Sequence, residues 1–156
     1  MELTACEDIE APLHKVFGLA SNFDRLERQA GRNGIDVARL SPEGATPEQG
    51  LSWRARFRYR DTPREADIAL TRHDPPNTMV FRTVSGGLEA VTTVDFVALS
   101  RTRTRVGVRI ELLPRTLSAR LMVQPLKLAR GSVEKRFRAK MAGYAGDIEK
   151  RLNASG

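Results

Sequence analysis

The sequence predicts an α+β protein in which a seven-stranded, curved antiparallel sheet wraps around a long C-terminal helix, with two short helices after the first strand. Three observations lead to this fold class. Apolar residues recur every three or four positions in residues 116–153, as on one face of a helix. In several earlier segments they alternate with polar residues, as in strands. The connections between these segments are short enough for an antiparallel meander.

The N-terminal region is predicted to form a strand followed by two short helices. Residues 2–10 alternate, and Ala11-Pro12 ends the strand, since proline suits the first turn of the following helix. One face of the strand carries Leu3, Ala5, Glu7 and Ile9. The second helix is expected at about residues 23–30, before a modest strand at residues 35–40. Residues 41–50 form a flexible loop candidate, because they hold two prolines and two glycines.

The next strand has one apolar face and one cationic face. Trp53, Ala55, Phe57 and Tyr59 alternate with Arg54, Arg56, Arg58 and Arg60. A two-residue turn at Asp61-Thr62 is expected. The pairs that this turn predicts are Arg58 with Glu65, Arg56 with Asp67 and Trp53 with Leu70. Acidic neighbours across the strand indicate that the arginine stripe is a solvated outer face and not a nucleic-acid site.

Two further hairpins complete the predicted sheet. A tight turn at Gly86-Gly87 pairs Met79, Phe81 and Thr83 with Val94, Thr92 and Ala90. A three-residue connection at residues 101–103 pairs Val94, Phe96 and Ala98 with Ile110, Val108 and Val106.

The terminal helix is the longest predicted element. Thr116 is its expected N-cap, and residues 153–156 lose the apolar pattern. Pro125 removes an amide donor and crowds the carbonyl of Leu121, so a bend or break is expected near Gln124, with the main helix from about Pro125 onward. Its apolar face consists of Leu126, Val133, Phe137, Met141, Tyr144, Ile148 and Leu152, and its polar face of Arg130, Glu134, Arg138, Asp147 and Lys150.

Length and composition narrow the class of protein. The 156 residues fit one domain, residues 1–156, with a hydrophobic content of 40%. No apolar run approaches the ~18 residues needed to cross a membrane. A single cysteine, Cys6, allows no internal disulfide, so a reducing cytoplasm is expected. The net charge of +7 comes from scattered basic residues, and no nucleic-acid module is visible, which argues against nucleic acid as a partner.

No residue pattern assigns a catalytic site. His14 and His73 lie on different predicted elements with no cluster of metal ligands beside them. Both are expected at the surface, and strand parity places His73 on the outer face. Gly86-Gly87 lacks the lysine and the following helix that a phosphate-binding loop requires. The catalytic residues stay unassigned, and neither a metal nor a cofactor is expected.

Local motifs at both ends are similar to one known family. They are Ile9-Glu10-Ala11-Pro12, Val16-Phe17 and Asn22-Phe23-Asp24 at the start, and residues 102–106 ahead of the last strand. On these motifs and its order of elements, the chain resembles the START/Bet v 1-like superfamily, the SRPBCC or polyketide cyclase/dehydrase-type proteins with a helix-grip fold. The resemblance implies an apolar cavity between sheet and helix, which different members use to bind lipids, sterols, quinones, hormones or polyketides. Some members are enzymes, and many are carriers or receptors.

The predicted inner face of the sheet mixes large and small side chains. The small ones could complement the large ones in a solid core, or they could leave an apolar pocket with hydroxyl groups that orient a ligand. The resemblance favours a cavity. The residues expected to line it are Trp53, Phe57, Tyr59, Ile68, Leu70, Met79, Phe81, Thr83, Thr92, Val94, Phe96, Val108, Ile110, Phe137, Met141 and Tyr144.

These features predict binding or transport of a hydrophobic or amphipathic small molecule, such as a lipid, a quinone or a polyketide-like compound. The alternative is a polyketide cyclase/dehydratase-type enzyme acting on an enclosed aromatic or polyketide substrate. Its orienting groups would be Tyr59, Tyr144, Thr83 or Thr92. A cavity lined only by apolar and hydroxyl groups would favour carriage, whereas a buried carboxylate or histidine would favour catalysis.

Apolar residues crowd more than one side of the segment around Pro125, with basic residues between them. They are Leu117, Leu121, Met122, Val123, Leu126 and Leu128, interleaved with Arg115, Arg120, Lys127 and Arg130. This mixture predicts a portal with weak contact to an anionic membrane surface or, if the bend turns both sides inward, a part of the core. Residues 41–50 are the other candidate gate.

Overall fold

The structure is a computed structural model that describes residues 1–154 of the chain. The strands are β1 (Glu2–Ile9), β2 (Asp36–Arg39), β3 (Ser52–Tyr59), β4 (Thr62–Asp74), β5 (Thr78–Ser85), β6 (Leu88–Ser100) and β7 (Arg103–Pro114). The helices are α1 (Leu13–Ala20), α2 (Phe23–Arg32), α3 (Leu117–Leu128) and α4 (Arg130–Ala154), with a 3₁₀ turn at Pro47–Gln49. The sequence predicts the end of the helical pattern at residues 153–156, of which Ser155 and Gly156 lie outside the described residues.

The strands form one antiparallel sheet, as predicted. Their order is β1-β7-β6-β5-β4-β3-β2, so β2 to β7 form a meander and β1 closes the far edge beside β7. α4 lies against β1 and α1. The predicted α+β class, with a seven-stranded sheet around a long C-terminal helix, is confirmed.

The C-terminal helical segment breaks later than predicted. It continues through Pro125, and the backbone leaves the helical conformation at Ala129, between α3 and α4. The expected break near Gln124 is wrong. Ala119 and Val123 are each 1% exposed, and this packing holds α3 in place while the helix loses the one hydrogen bond that proline cannot donate. Within residues 1–154, no helix combines the length and the hydrophobicity needed to cross a membrane.

The predicted register of the β3–β4 hairpin is wrong by two residues. The strands turn at Arg60-Asp61 and not at Asp61-Thr62, so Trp53 pairs with Ile68. Arg60 and Asp61 have φ angles of 52° and 60°. Two-residue hairpin turns favour this left-handed conformation, but arginine does not signal it in a sequence as glycine does. A shift of two residues keeps every side chain on its predicted face.

The β6–β7 hairpin shows the same error, whereas the β5–β6 register is confirmed. A register shift between Ala98 and Ser100 absorbs one residue, and the turn consists of residues 101 and 102. The observed pairs are Val94 with Val108, Phe96 with Val106 and Ala98 with Thr104. In β5–β6, Met79 pairs with Val94 across the turn at residues 86–87, as predicted.

A bulge in β4 brings His73 to the inner side of the sheet. The pairing of β4 with β5 shifts at Thr71, and the alternation of faces reverses after it. The His73 ring lies 5.7 Å from that of Phe17, between centroids, and its Nδ1 lies 3.2 Å from the Glu48 carboxylate. Its side chain is 10% exposed. The outer-face prediction is therefore wrong for His73, while His14 is exposed as expected.

The aromatic core lies where the helix pair covers the sheet. Phe23 of α2 packs on Trp53 with 5.5 Å between ring centroids, and Phe17 of α1 packs on Phe96 at 5.0 Å. The indole Nε1 of Trp53 donates to the Glu27 carboxylate at 2.7 Å. α2 contacts β2 at one edge of the sheet, α1 contacts β6 and β7, and α4 contacts β1 at the other edge.

The arginine stripe of β3 lies on the outer face beside acidic partners, as expected, but with partners shifted by two residues. Arg54 Nε donates to Asp67 at 2.8 Å, and this bond lowers the pKa of the Asp67 carboxyl. Arg56 Nε donates to Glu65 at 3.2 Å. The stripe is thus partly neutralised within the sheet.

Candidate functional site

A cavity of about 430 Å³ lies between the sheet and α4. The inner faces of β1, β5, β6 and β7 form its floor, and α2 and α4 form its walls. Its location follows from where the aromatic rings of α1 and α2 pack on the sheet. Where the rings of Phe17 and Phe23 fill the sheet the core is solid, and under α4, which has no fully buried residue, the space is hollow.

The cavity opens between α2 and α4, where its lining residues are exposed. These are Asn33, which directly follows α2, and Lys140 and Tyr144 of α4. No residue of α3 and none of residues 41–50 lines the cavity, although the structure describes all of them. Neither candidate gate therefore borders this cavity, and ligand entry through either segment stays a prediction.

Arg25 bridges the two helices at this opening. Its Nη1 lies 3.6 Å from Asp147 Oδ2 and 3.5 Å from Gln29 Oε1, and both contacts are long. Asp147 accepts a shorter bond, 3.0 Å, from Arg151 Nε. Burial lowers the pKa of the Arg25 guanidinium, and the nearby charge of Arg151 lowers it further. The buried Arg25 Nε has no hydrogen-bond partner in the protein.

A second depression of about 320 Å³ adjoins the opening. It shares Arg25, Gln29, Asn33 and Asp147 with the cavity and adds Arg28, Arg32 and Arg151. We call this depression the arginine vestibule. Its lining holds four arginines and one carboxylate, so the apolar cavity leads outward into a positively charged site.

Comparison with known proteins finds similarity in structure and not in sequence. No family model and no curated protein matches the chain. A solved protein from Thermus thermophilus superposes with a TM-score of 0.67 at 18% identity, over 100% of this chain and 99% of that one. The Zhui aromatase/cyclase from Streptomyces sp. R1128 gives 0.68 at 14% identity, over 100% and 98%. Norcoclaurine synthase from Thalictrum flavum, in complex with dopamine and hydroxybenzaldehyde, gives 0.71 at 13%, over 100% and 88%.

The chain has the helix-grip fold that it shares with these solved structures. At these identities the likeness shows the fold alone. What the cavity of this helix-grip protein can bind depends on its own lining residues.

The helix-grip cavity brings together part of the set predicted to line it. Those that line it are Met79, Phe81, Val94, Phe96, Val108, Met141 and Tyr144. Trp53 and Leu70 are buried in the core beneath α1 and α2, and Ile68 packs against that core. Phe57 lines a separate depression beside Arg64. Five more residues of the set line neither the cavity nor this depression: Tyr59, Thr83, Thr92, Ile110 and Phe137. Contact with a ligand stays a prediction for the whole set.

Several lining residues were not assigned from the sequence. They include Ala5, Glu7 and Ile9 of β1, Arg25, Leu26, Gln29 and Ala30 of α2, Asn33 directly after α2, and Lys140, Ala145, Asp147 and Ile148 of α4. For β1 the signal was present, because its alternation puts Glu7 on the face of two buried residues. For Asp147 the helical pattern was misleading. It indicated the polar face of the helix, but α2 lies along that flank.

Glu7 places a carboxylate on an otherwise apolar wall. It lies between Ala5 and Ile9, both buried, and is itself half-buried. No hydrogen bond or ion pair joins its carboxylate to another described residue. Lys140 and Tyr144, one turn apart on α4, line the same cavity. A carboxylate in this position could exchange a proton with an enclosed molecule, which apolar and hydroxyl linings do less readily.

Metal chemistry has no visible support in the described part of the chain. Across residues 1–154, no group of three or more His, Cys, Asp or Glu side chains is placed to hold a metal ion.

Proposed function

We propose that this protein binds and carries a hydrophobic or amphipathic small molecule, such as a lipid, a quinone or a polyketide-like compound, in the cavity between sheet and α4. The observation behind this proposal is a cavity of about 430 Å³ whose lining is mainly apolar. Ligand sites of roughly 300–1,000 Å³ with this kind of lining bury most of a small organic ligand. Residues 1–156 would act as one ligand-binding domain, and the single cysteine fits a reducing cytoplasm.

The named neighbours support a compound with rings or chains of carbon. One is an aromatase/cyclase, and another was solved with dopamine and hydroxybenzaldehyde. The fold is therefore compatible with small aromatic ligands, although neither compound is assigned to this chain.

A second candidate function is catalysis, as a cyclase/dehydratase-type enzyme on an enclosed aromatic or polyketide substrate. Glu7 is the observation that favours it, since a carboxylate on a cavity wall can act as general acid or base. Of the four residues predicted to orient a substrate, Tyr144 lines the cavity. Carriage remains the first proposal because, among residues 1–154, no hydrogen bond or ion pair holds the Glu7 carboxylate in a position for proton transfer.

The test of ligand binding uses native mass spectrometry of freshly purified protein, followed by titration with the neutral fluorescent probe N-phenyl-1-naphthylamine. Ala145→Trp should fill the cavity and weaken probe binding roughly tenfold or more, because the added indole ring takes the ligand's space. Ala142→Trp adds the same group to an exposed position of α4 and should leave binding unchanged. Equal probe affinity in both variants, or no probe binding by the unaltered protein, would overturn the proposal.

Glu7→Gln separates carriage from catalysis. The variant should retain the probe and any co-purified compound if the protein is a carrier. Catalysis would be shown if the unaltered protein converts a compound in an extract to a cyclised or dehydrated product and Glu7→Gln does not. The second candidate function would then replace the first.

A further inference from the structure

We infer that the natural ligand is an amphipathic anion, whose apolar body occupies the cavity and whose negatively charged headgroup lies in the arginine vestibule against Arg25. The inference rests on the proposed binding function and specifies its ligand class. A carboxylate or a phosphate would supply the headgroup chemistry, since both accept paired hydrogen bonds from guanidinium groups.

The vestibule has more positive charge than its protein partners neutralise. Arg25, Arg28 and Arg32 lie on one face of α2, at helical spacings of three and four residues. Asp147 is the carboxylate among the vestibule's lining residues, and it is already bound by Arg151 at 3.0 Å. Like charges on neighbouring turns repel one another, so this face of α2 is stabilised when an anion binds to it.

Arg25, which lines both the cavity and the vestibule, has unused hydrogen-bonding capacity. Its side chain is 11% exposed, and its two polar contacts are 3.5 and 3.6 Å long. Its Nε is buried and unpaired, and such a donor costs free energy until it finds an acceptor. An oxygen of a bound headgroup would satisfy Nε and shorten the contacts of the guanidinium.

The vestibule also adjoins the open end of the cavity, where the headgroup of a bound molecule would lie. Arg25, Gln29 and Asn33 line both spaces, so a molecule filling the cavity along α4 reaches the arginines with its end. Two carboxylates near this path would repel a bound anion. Glu7 would repel an anion deeper in the cavity, and Asp147 would repel one that displaced Arg25. Both effects favour a headgroup at the opening and an uncharged body inside.

The experiment compares ligands that share one ten-carbon chain and differ in the headgroup: decanoate, decyl phosphate, decanol and decylammonium, each displacing N-phenyl-1-naphthylamine at pH 8. The anions should bind about tenfold more tightly than decanol, as expected for one or two charge-assisted hydrogen bonds, and decylammonium more weakly than decanol. The preference should fall between 0.05 and 0.5 M salt, because the vestibule is partly exposed. Stronger binding of decyl phosphate would indicate a lipid-phosphate ligand, and stronger binding of decanoate a fatty-acid type, and both support the inference.

Two variants localise the effect. Arg28→Gln/Arg32→Gln should reduce the ratio of decanoate to decanol affinity toward one, and Arg25→Gln should reduce it further. Arg101→Gln/Arg136→Gln removes the same charge from exposed positions that do not line the cavity and should leave the ratio unchanged. Circular dichroism and the thermal midpoint establish that each variant is folded.

Several outcomes would overturn the inference. If decanol binds as tightly as decanoate, or if the control pair lowers the ratio as much as the vestibule pair, the headgroup does not lie in the vestibule, although ligand binding stands. If no member of the series displaces the probe and the probe itself does not bind, both the proposed function and this inference fail.

Discussion

Gly87 is a residue at which no side chain fits. A Cβ at this position would overlap the side chain of Thr116, which caps α3 as predicted by accepting from Ala119 N at 3.1 Å. The Gly87 carbonyl also accepts a hydrogen bond from Arg115 N at 2.7 Å. The β5–β6 turn and the start of α3 are therefore in direct contact, and the glycine makes that contact possible.

Gly87→Ala should lower the free energy of unfolding by about 2 kcal/mol, because the methyl group displaces Thr116 and weakens the helix cap. Urea denaturation measures the change. Gly107→Ala, in a strand position with open space around it, is the matched control and should leave stability unchanged or raise it by up to about 1 kcal/mol. A loss of stability at residue 107 equal to that at residue 87 would contradict the steric explanation.

At the scale of elements, Glu89 joins β6 to its neighbours. Its carboxylate accepts from Arg82 Nε of β5 at 2.7 Å and from Arg115 Nε, ahead of α3, at 3.2 Å. The bond from Arg82, followed by that from Arg115, lowers the pKa of Glu89 in the folded protein. A carboxylate with a lowered pKa contributes stability above its unfolded pKa, and this contribution is lost as the pH falls through the folded pKa.

Glu89→Gln should therefore be less stable than the unaltered protein at pH 7, and the difference should disappear as the pH falls through the lowered pKa of Glu89 in the folded protein. Thermal midpoints of both proteins between pH 7 and pH 2 test this, because other carboxyl groups titrate equally in the two and cancel. A difference that stays constant down to pH 2 would show that packing, and not the ionised carboxylate, makes the contribution.

At the scale of the whole molecule, the surface combines a net charge of +7 with an exposed leucine stripe on α3. Leu117, Leu121 and Leu128 are 71%, 65% and 81% exposed, while Ala119 and Val123 on the other side of the helix are buried. The expected apolar side chains on more than one side of this segment are present. Because α3 does not line the cavity, its outer face is a candidate for weak contact with an anionic membrane, and not for the portal.

Leu121→Gln/Leu128→Gln should weaken association with vesicles rich in anionic lipid on the order of tenfold, since both leucines lose the apolar transfer that partial insertion supplies. Co-sedimentation at low and high salt measures it, and binding should fall as salt screens the basic residues. Leu40→Gln/Leu99→Gln alters exposed leucines elsewhere and is the control. Unchanged vesicle binding in the α3 variant would remove the membrane prediction, and probe binding should be unaffected in both variants.

The sequence by itself determined the order of elements, the fold class and the face of most strand residues. Alternation is a local property of an extended backbone with a period of two residues, so Trp53 and Phe96 were placed inside correctly even though two registers were wrong by two. Gly86-Gly87 predicted its turn because glycine readily adopts the left-handed conformation that such turns require. The turn at Arg60-Asp61 carried no such signal.

The tertiary structure decided the position of the β4 bulge and the docking of the helices, which the alternation of apolar and polar residues does not determine. A bulge at Thr71 turned His73 inward. The position of such a bulge depends on the pairing of β4 with β5 along their whole length. The docking of α1 and α2 on the sheet placed Trp53 and Leu70 in the aromatic core and left the hollow under α4. The same docking brought Arg25 of α2 against Asp147 of α4. These contacts join residues far apart in the chain, and long-range packing, which no local pattern encodes, selects them.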